Sequence, residues 1–528
     1  MGFKREDAMW KKEVAEIQKR KTIACELGGE KGISRQHGQG KMTVRERIDK
    51  LLDQDSFKET GVMAGAAQYT NNNQDLENIV PCPIVMGRGK INGRRVIVQG
   101  DDFTIRGASV GRLYKAKLAY NGKMAHELRL PLVRLLDGAG GTIREVADIG
   151  YMELPVVNDV AMGMLADLMS EVPIVSLALG PVSGIGALLA VESHFSIMVR
   201  EKSQVFVGGP PLVQFAQGQK VSKEELGGYK IHTRISGVID NEAESEEDAF
   251  EQAKRFLDYL PSSVWEMPEQ KYADMDDPER REEALISAVP KDGRKTYDMR
   301  QILTAVFDKG SVFEIGKYQG RSQITCLARL NGYPVGVLAN DTRFKAGSFA
   351  WDVAEKYQRF VDMCDTFHLP VVNFIDQPGF YIGVESENYG TIRKGVRASF
   401  SVIQASVPWA SIYVRKCFGV SGGAQSDPAK LNWRYAWPSA YWGNIPIEGG
   451  VYAAHRAEIE AAEDPMALHD KLQAYYRGFA QPFRAAEHFG IEDIIDPRET
   501  RPLLCDWVET VFDHEKINLG IKKRGMRC

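Results

Sequence analysis

The chain has 528 residues, 44% hydrophobic and 26% charged, with a net charge of −4 and a pI near 6.2. That length holds two to four ordinary domains, the composition is that of a globular protein, and the near-balanced charge gives no reason to expect a nucleic-acid partner. The seven cysteines are scattered without a C-x-x-C pair, which argues against a disulfide framework or zinc ribbon and fits a reducing cytoplasm.

The opening stretch, MGFKREDAMWKKEVAEIQKRK, is charged throughout, so neither a signal peptide nor an acidic-poor transit segment is expected there. LLDQDSFKETG (51–61) follows, then RRVIVQG and PLVRLLD as short β-rich runs, with SVGRLYKAKLAYNGKMAHEL between them at helical spacing. Residues 172–191, VPIVSLALGPVSGIGALLAV, are uncharged and as long as a membrane span. Gly180, Pro181, Gly184 and Gly186 interrupt them, and the stretch reads as a buried strand, a tight loop and the start of a buried helix. The charged segment from 261 to about 295 carries Pro268, Pro278 and Pro290, the marks of a linker. Beyond it, VFDKGSVFEIG (306–316), YPVGVLA, FAWDVAEKYQRFVDMCDTF, PVVNFID and ASIYVRK repeat the earlier order.

The repeat is literal. Displaced by 239 positions, Asn92-Gly93 falls on Asn331-Gly332, Asp102 on Asp341, Lys117 on Lys356, Leu130-Pro131 on Leu369-Pro370, Asp137 on Asp376 and Gly140 on Gly379. Thirteen identities in 49 ungapped positions stand against about three for unrelated segments. Strand, helix and strand with short connections mean βα crossovers. The chain is therefore expected to be an α/β protein of two tandem domains related by internal duplication, spanning 1–265 and 290–528.

In such folds ligands sit at the carboxyl ends of strands. Two glycine turns fall there in the first half, Gly138-Ala139-Gly140-Gly141 and Gly184-Ile185-Gly186, and Gly419-Val420-Ser421 with Gly422-Gly423 echoes the latter. A glycine turn opening a helix presents free backbone N–H groups able to hold an oxyanion, although glycines also merely let strand and helix pack closely. Asp137 and Asp376 read as turn or capping residues. Lys115 and Lys117, Arg393 and Lys394, and Arg415 and Lys416 are basic pairs that either face phosphates or sit on solvated surfaces. No H-E-x-x-H or G-x-S-x-G pattern occurs, and no metal site is expected.

QHGQGKMTVRERIDKLLDQDSF (36–57), DDFT (101–104), FVGGP (206–210), EELGGYKIHTRISGV (224–238), DQPGF-x-x-G (376–383) and YAWP (435–438) resemble, in order, the carboxyltransferase subunits of biotin-dependent acyl-CoA carboxylases. The resemblance implies two crotonase-type (β-β-α superhelix) domains, the N-terminal one binding acyl-CoA and the C-terminal one binding carboxybiotin. It implies oxyanion turns at Gly184 and Ile185 for the thioester and at Val420 and Ser421 for the biotin ureido oxygen. Gly140, Gly141, Gly186, Gly419, Gly422 and Gly423 would line the substrates. It further implies a homohexamer built as a trimer of dimers, with separate biotin carboxylase and biotin carboxyl carrier partners. ATP and Mg would then act only at the carboxylase, since this chain shows neither a biotin-attachment segment nor an ATP-binding glycine loop.

There are departures from the family pattern. Ile185 and Val420 stand where glycine is usual, restricting φ and crowding the approach, and Thr142 stands where an Arg is usual. Gly423 replaces a common acyl-pocket Asp, so an acyl group larger or more polar than propionyl is expected. Gly383-Val384-Glu385-Ser386-Glu387 looks like the methylcrotonyl- and geranyl-CoA branch. The alternatives are a transcarboxylase or decarboxylase subunit, a biotin-independent crotonase-type hydratase or hydrolase, and a catalytically degenerate scaffold.

Overall fold

The computed structural model describes residues 10–70, 72, 75–143, 150–152, 160–427 and 429–526; the first nine residues of the charged opening stretch and Cys528 lie outside them. The chain divides into two compact units, Met1–Thr233 with Asn241–Lys254, and Arg234–Asp240 with Arg255–Cys528.

The first unit contains β1 (Lys58–Glu59), a two-stranded ribbon of β2 (Gly65–Thr70) and β3 (Asp75–Pro81), then β4 (Ile84–Ile91), β5 (Arg94–Asp101), β6 (Leu132–Gly138), β7 (Ile174–Ser183), β8 (Phe195–Val199), β9 (Gln204–Phe206) and β10 (Asn241–Ala243). Its main sheet runs β1-β4-β5-β6-β7-β8-β10, with β9 also paired to β7. β1, β4 and β5 are antiparallel, and every pairing from β5 onward is parallel. The second unit contains β11 (Phe313–Ile315), β12 (Gln323–Leu330), β13 (Tyr333–Asn340), β14 (Val371–Gln377), β15 (Trp409–Phe418), β16 (Trp433–Ala436), β17 (Tyr441–Gly443) and β18 (Asp493–Ile494). The order β11-β12-β13-β14-β15-β16-β18, with β17 on β15, repeats the first sheet strand for strand and direction for direction. The expected duplicated α/β chain is thus observed.

Local chemistry explains why the repeat kept its residues. The β4–β5 and β12–β13 hairpins close on Asn-Gly pairs with left-handed φ: 50° and 81° at Asn92-Gly93, 48° and 78° at Asn331-Gly332. That is the backbone a two-residue hairpin turn requires. Asp53 accepts from the Asn92 and Gly93 N–H groups (2.9 and 2.8 Å), and Asp308 does the same for Asn331 and Gly332 (3.1 and 2.8 Å). These aspartates are the third residues of the two echoing segments at 51 and 306.

Between β5 and β6 lies the helix Arg112–Leu128, and between β13 and β14 the helix Trp351–Thr366. Each sends a lysine back to the sheet, buried at Lys117 and half-buried at Lys356. Lys117 Nζ donates to Ile84 O (2.6 Å), and Lys356 Nζ donates to the carbonyls of Gly316, Gln319 and Gln323 (2.8, 3.1 and 2.7 Å). All seven residues of β6 and of β14 are buried, as expected of parallel strands covered on both faces. The opposite face of the second sheet packs Val335, Val337, Phe374 and Ile412 against the helices Met299–Val306 and Thr500–Phe512.

The uncharged stretch at 172–191 forms β7 and the helix Ile185–Val191, as read. The segment from 261 to 295 is not a free linker but part of the second unit. Val264 and Leu285 are buried, Arg280 bonds Asp276 and the Ala305 and Phe307 carbonyls, and Arg501 Nε donates to Asp277 O. Its prolines mark a strap held by arginines.

Candidate functional site

In the first unit the site begins with a charge shut away from the surface. Asp137, next to last in β6, is fully buried. Its carboxylate accepts from Lys41 Nζ (3.0 and 2.9 Å), Arg47 Nη1 (3.0 Å) and Gln36 Nε2 (3.0 Å). Arg47, itself buried, also binds Glu246 (2.8 and 2.9 Å) and Leu179 O (3.2 Å). Burial opposes the Arg47 charge, but its bonds to Glu246 and Asp137 outweigh burial and hold the guanidinium pKa above its usual value. Burial pulls the Lys41 ammonium below its usual value despite Asp137. A Cβ on Gly180 would lie 2.0 Å from Asp137 Oδ1, so the neighbouring strand carries glycine where the carboxylate passes.

Asp376 repeats the arrangement with other partners: Arg415 Nε (2.9 Å), the Tyr297 hydroxyl (2.8 Å) and the Lys416 N–H (3.1 Å). Neither aspartate is a turn or cap, contrary to the reading from sequence, because at zero exposure a carboxylate persists only with paired cations or donors. Lys117 and Arg415 are likewise committed to the protein rather than to phosphate, and Lys394 pairs at the surface with Glu355 (2.8 Å).

On these braces stand the glycine turns. Gly140 has φ +80°, and a Cβ there would lie 2.8 Å from Ser183 O. Ser183 Oγ donates to Ala139 O (2.6 Å), and Val110 N donates to Gly140 O (2.9 Å). Gly184 follows at φ 60°, ψ −126°, a conformation open to glycine almost alone, and starts the helix Ile185–Val191 with no side-chain cap. The 138–141 loop and the Gly184 turn are thus in contact at the ends of β6 and β7. A Gly184 Cβ would come 3.7 Å from Gly140 Cα and 3.9 Å from Gly141 N. In the second unit Gly379 (φ +126°) and Gly419 (φ +67°) hold the matching places, and the helix Gly419–Gly423 also begins uncapped.

The other sequence-predicted positions divide. Gly186 is buried against Val182 and Gly422 against Cys417, places that packing alone explains, whereas Gly423 is exposed with open space where a Cβ would stand. Positive φ falls on Gly184 and Gly419, leaving Ile185 and Val420 at negative φ. Val420 is 76% exposed, its side chain directed away from the fold. Gln36, Lys41, Arg47 and Glu246 were not singled out individually. Their signal was an Asp inside an apolar strand, which demands buried cations.

The carboxyl transferase domain family matches residues 35–526. The chain belongs to that family. The chain is 34% identical over 494 residues to the propionyl-CoA carboxylase carboxyltransferase subunit of Haloferax mediterranei, covering 92% of this chain and 94% of that one. It is also 34% identical over 502 residues to the methylmalonyl-CoA decarboxylase subunit alpha of Veillonella parvula, covering 94% and 95%. Among solved structures, the 12S transcarboxylase hexamer with methylmalonyl-CoA and methylmalonic acid bound superposes at a TM-score of 0.86, with 30% identity and all of both chains covered. The chain accordingly has the duplicated crotonase-like fold of acyl-CoA carboxylase subunits.

The brace beside the first turn predicts a pH effect. The Asp137 N–H donates to Asp101 Oδ2 (3.1 Å), and burial raises the Asp101 carboxyl to about 6 from 3.8 even though Tyr114 donates to it (2.7 Å). A raised carboxyl contributes stability below pH 4 that is lost as the pH rises through 6, of order 2–3 kcal/mol. The second unit uses Asn340 for the same task, accepting from Asp376 N at 3.0 Å. Asp101→Asn is therefore expected to fold and to flatten the decline of the urea midpoint between pH 4.5 and 7; an unchanged pH slope would show that Asp101 does not titrate there.

Proposed function

We propose that this chain moves a carboxyl group from carboxybiotin, borne on a separate carrier protein, to the enolate of an acyl-CoA. The first unit binds the acyl-CoA and the second the biotin. The observation that carries this reading is the pairing of two like uncapped turns, at Gly184-Ile185 and Val420-Ser421, on two like sheets in a chain that matches carboxyltransferases along its length. Carboxybiotin supplies the carboxyl group and, once that has left, the base that takes the substrate proton. The chain's own contribution is to hold two oxyanions. The N–H groups of Gly184 and Ile185 receive the thioester enolate oxygen, and those of Val420 and Ser421 the biotin ureido oxygen. Aspartate carboxylates are not required as bases, and Asp137 and Asp376 are already committed to cations.

The partners proposed are a biotin carboxylase, where ATP and Mg act, and a biotin carboxyl carrier, with this chain as a homohexamer in the cytoplasm. Among the described residues no helix is long and apolar enough to cross a membrane. The same half-reaction run in reverse, as in a decarboxylase or transcarboxylase, is the second reading. It is favoured by equal identity to the Veillonella decarboxylase subunit and the Haloferax carboxylase subunit.

Native purification is expected to bring down a streptavidin-reactive polypeptide with a homo-oligomer of the chain; a chain with hydratase activity and no biotin partner would overturn the reading. Gly184→Ala and Gly419→Ala are expected to fold, both positions lying at the surface end of a strand, and to lower kcat on the order of 10²-fold each. Near-normal turnover in both would make the turns packing devices. The open space at Gly423 makes Gly423→Asp sterically clean. The parent is expected to show its highest kcat/KM above propionyl in an acetyl, propionyl, butyryl, methylcrotonyl and aryl series, and the aspartate to shift that ranking toward smaller acyl groups. A maximum at acetyl or propionyl, or an unmoved ranking, would remove Gly423 from the acyl pocket.

A further inference from the structure

The two turns are held by different means. In the first unit the turn opens a seven-residue helix, Ile185–Val191, whose own backbone ladder begins with Leu188 N donating to Gly184 O (3.1 Å). In the second unit the helix is five residues, Gly419–Gly423, and its ladder runs out at once. Ala424 N donates to Val420 O (3.0 Å), but Gln425 N turns to Gly422 O (3.3 Å). The Ser421 carbonyl is instead met by the Gln425 side chain, whose Nε2 donates to it at 2.9 Å.

That side chain is itself clamped. Gln425 is buried, and its Oε1 accepts from Asn373 Nδ2 on β14 at 2.9 Å and from the Tyr357 hydroxyl at 3.5 Å. Asn373 Nδ2 also reaches the Gln425 carbonyl (3.3 Å). Packing beside the turn is incomplete, for a cavity of about 10 Å³ lies among Ser421, Gln425, Tyr357 and the rings of Phe349 and Phe380. A buried amide with both ends bonded restricts its partners more than loose apolar contact does.

We propose that Gln425 is a positioning residue for the carboxyltransferase reaction: clamped by Asn373, it holds the Ser421 carbonyl and with it the 421–422 peptide, and so fixes the short helix that carries the Val420 and Ser421 N–H groups. This rests on the reading that those N–H groups hold the biotin oxygen. Gln425→Met keeps length and volume but loses both bonds. Carboxyl transfer from methylmalonyl-CoA to free biotin by the full chain should then show kcat lowered about 10- to 100-fold, part of the value of an oxyanion donor. The KM for methylmalonyl-CoA should stay within about twofold, since that substrate is assigned to the other unit. Asn373→Ser should lower kcat in the parent and by much less in the Gln425→Met background, where only its bond to the main-chain carbonyl of residue 425 is left to lose. A Gln425→Met chain with kcat within twofold of the parent, or additive losses in the double variant, overturns the proposal.

Hydrogen exchange provides an arm independent of turnover and of Gln425 substitutions. In Asn373→Ser the amides of 418–426 should exchange faster while those of β12 and β13 stay protected. Unchanged exchange at 418–426 overturns the proposal even if Gln425→Met does not fold. If the parent transfers no carboxyl group to biotin from the carboxylated form of any acyl-CoA in the series above, the functional reading fails while the exchange result still decides the role of Gln425 in the turn.

Discussion

A fully buried carboxylate, Asp137 at the end of β6, is the constraint around which the first unit is arranged. Leaving such a charge buried and unpaired costs about 3–5 kcal/mol, a large part of a domain's stability. Lys41 and Arg47 come from a segment that a capping box shapes: Thr43 and Glu46 exchange bonds around the start of the helix Val44–Leu51, which turns Arg47 and Ile48 inward. Glu246 offsets the second cation from near the unit's other end. The ion cluster thus ties distant chain segments to the strand end where the 138–141 loop departs, fixing that loop without a side chain of its own.

Duplication preserved the geometry and changed the chemistry. Asp376 occupies the same strand end, but its cation comes from the adjacent strand and its hydroxyl donor, Tyr297, from just before the helix Met299–Val306. The residue that receives the aspartate's own N–H is ionisable Asp101 in one copy and neutral Asn340 in the other. The matching lysines differ in degree: Lys356 bonds three carbonyls, and desolvation lowers it to about 8. What both copies keep is the Asn-Gly hairpin, its Asp clamp, and a left-handed glycine at the start of each short helix.

Those glycines also account for the branched residues beside them. A branched side chain is costly where φ is positive. Here Gly184 and Gly419 take the positive φ, so Ile185 and Val420 enter their helices with ordinary backbone angles. The family's usual glycine is therefore dispensable for backbone geometry at both positions. The consequence of the branched residues is confined to the surface they present to a ligand.

The duplication, the α/β class, the strands at RRVIVQG, PLVRLLD, PVVNFID and ASIYVRK, and the glycine turns were legible because each rests on local periodicity or on a repeat that one chain displays against itself. The family likeness was legible because its motifs recur in order. The role of Asp137 and Asp376 was not, since a strand-end Asp looks the same whether water or an arginine 90 residues away satisfies it. The prolines at 261–295 resembled a linker for a similar reason: the arginines that bind that strap lie within it and far along the chain at 501. Sequence by itself determined the elements and their order, because these depend on neighbours a few residues apart. Only tertiary structure decided which buried charges pair and how each turn is held, because those choices depend on contacts between residues that the chain order keeps far apart.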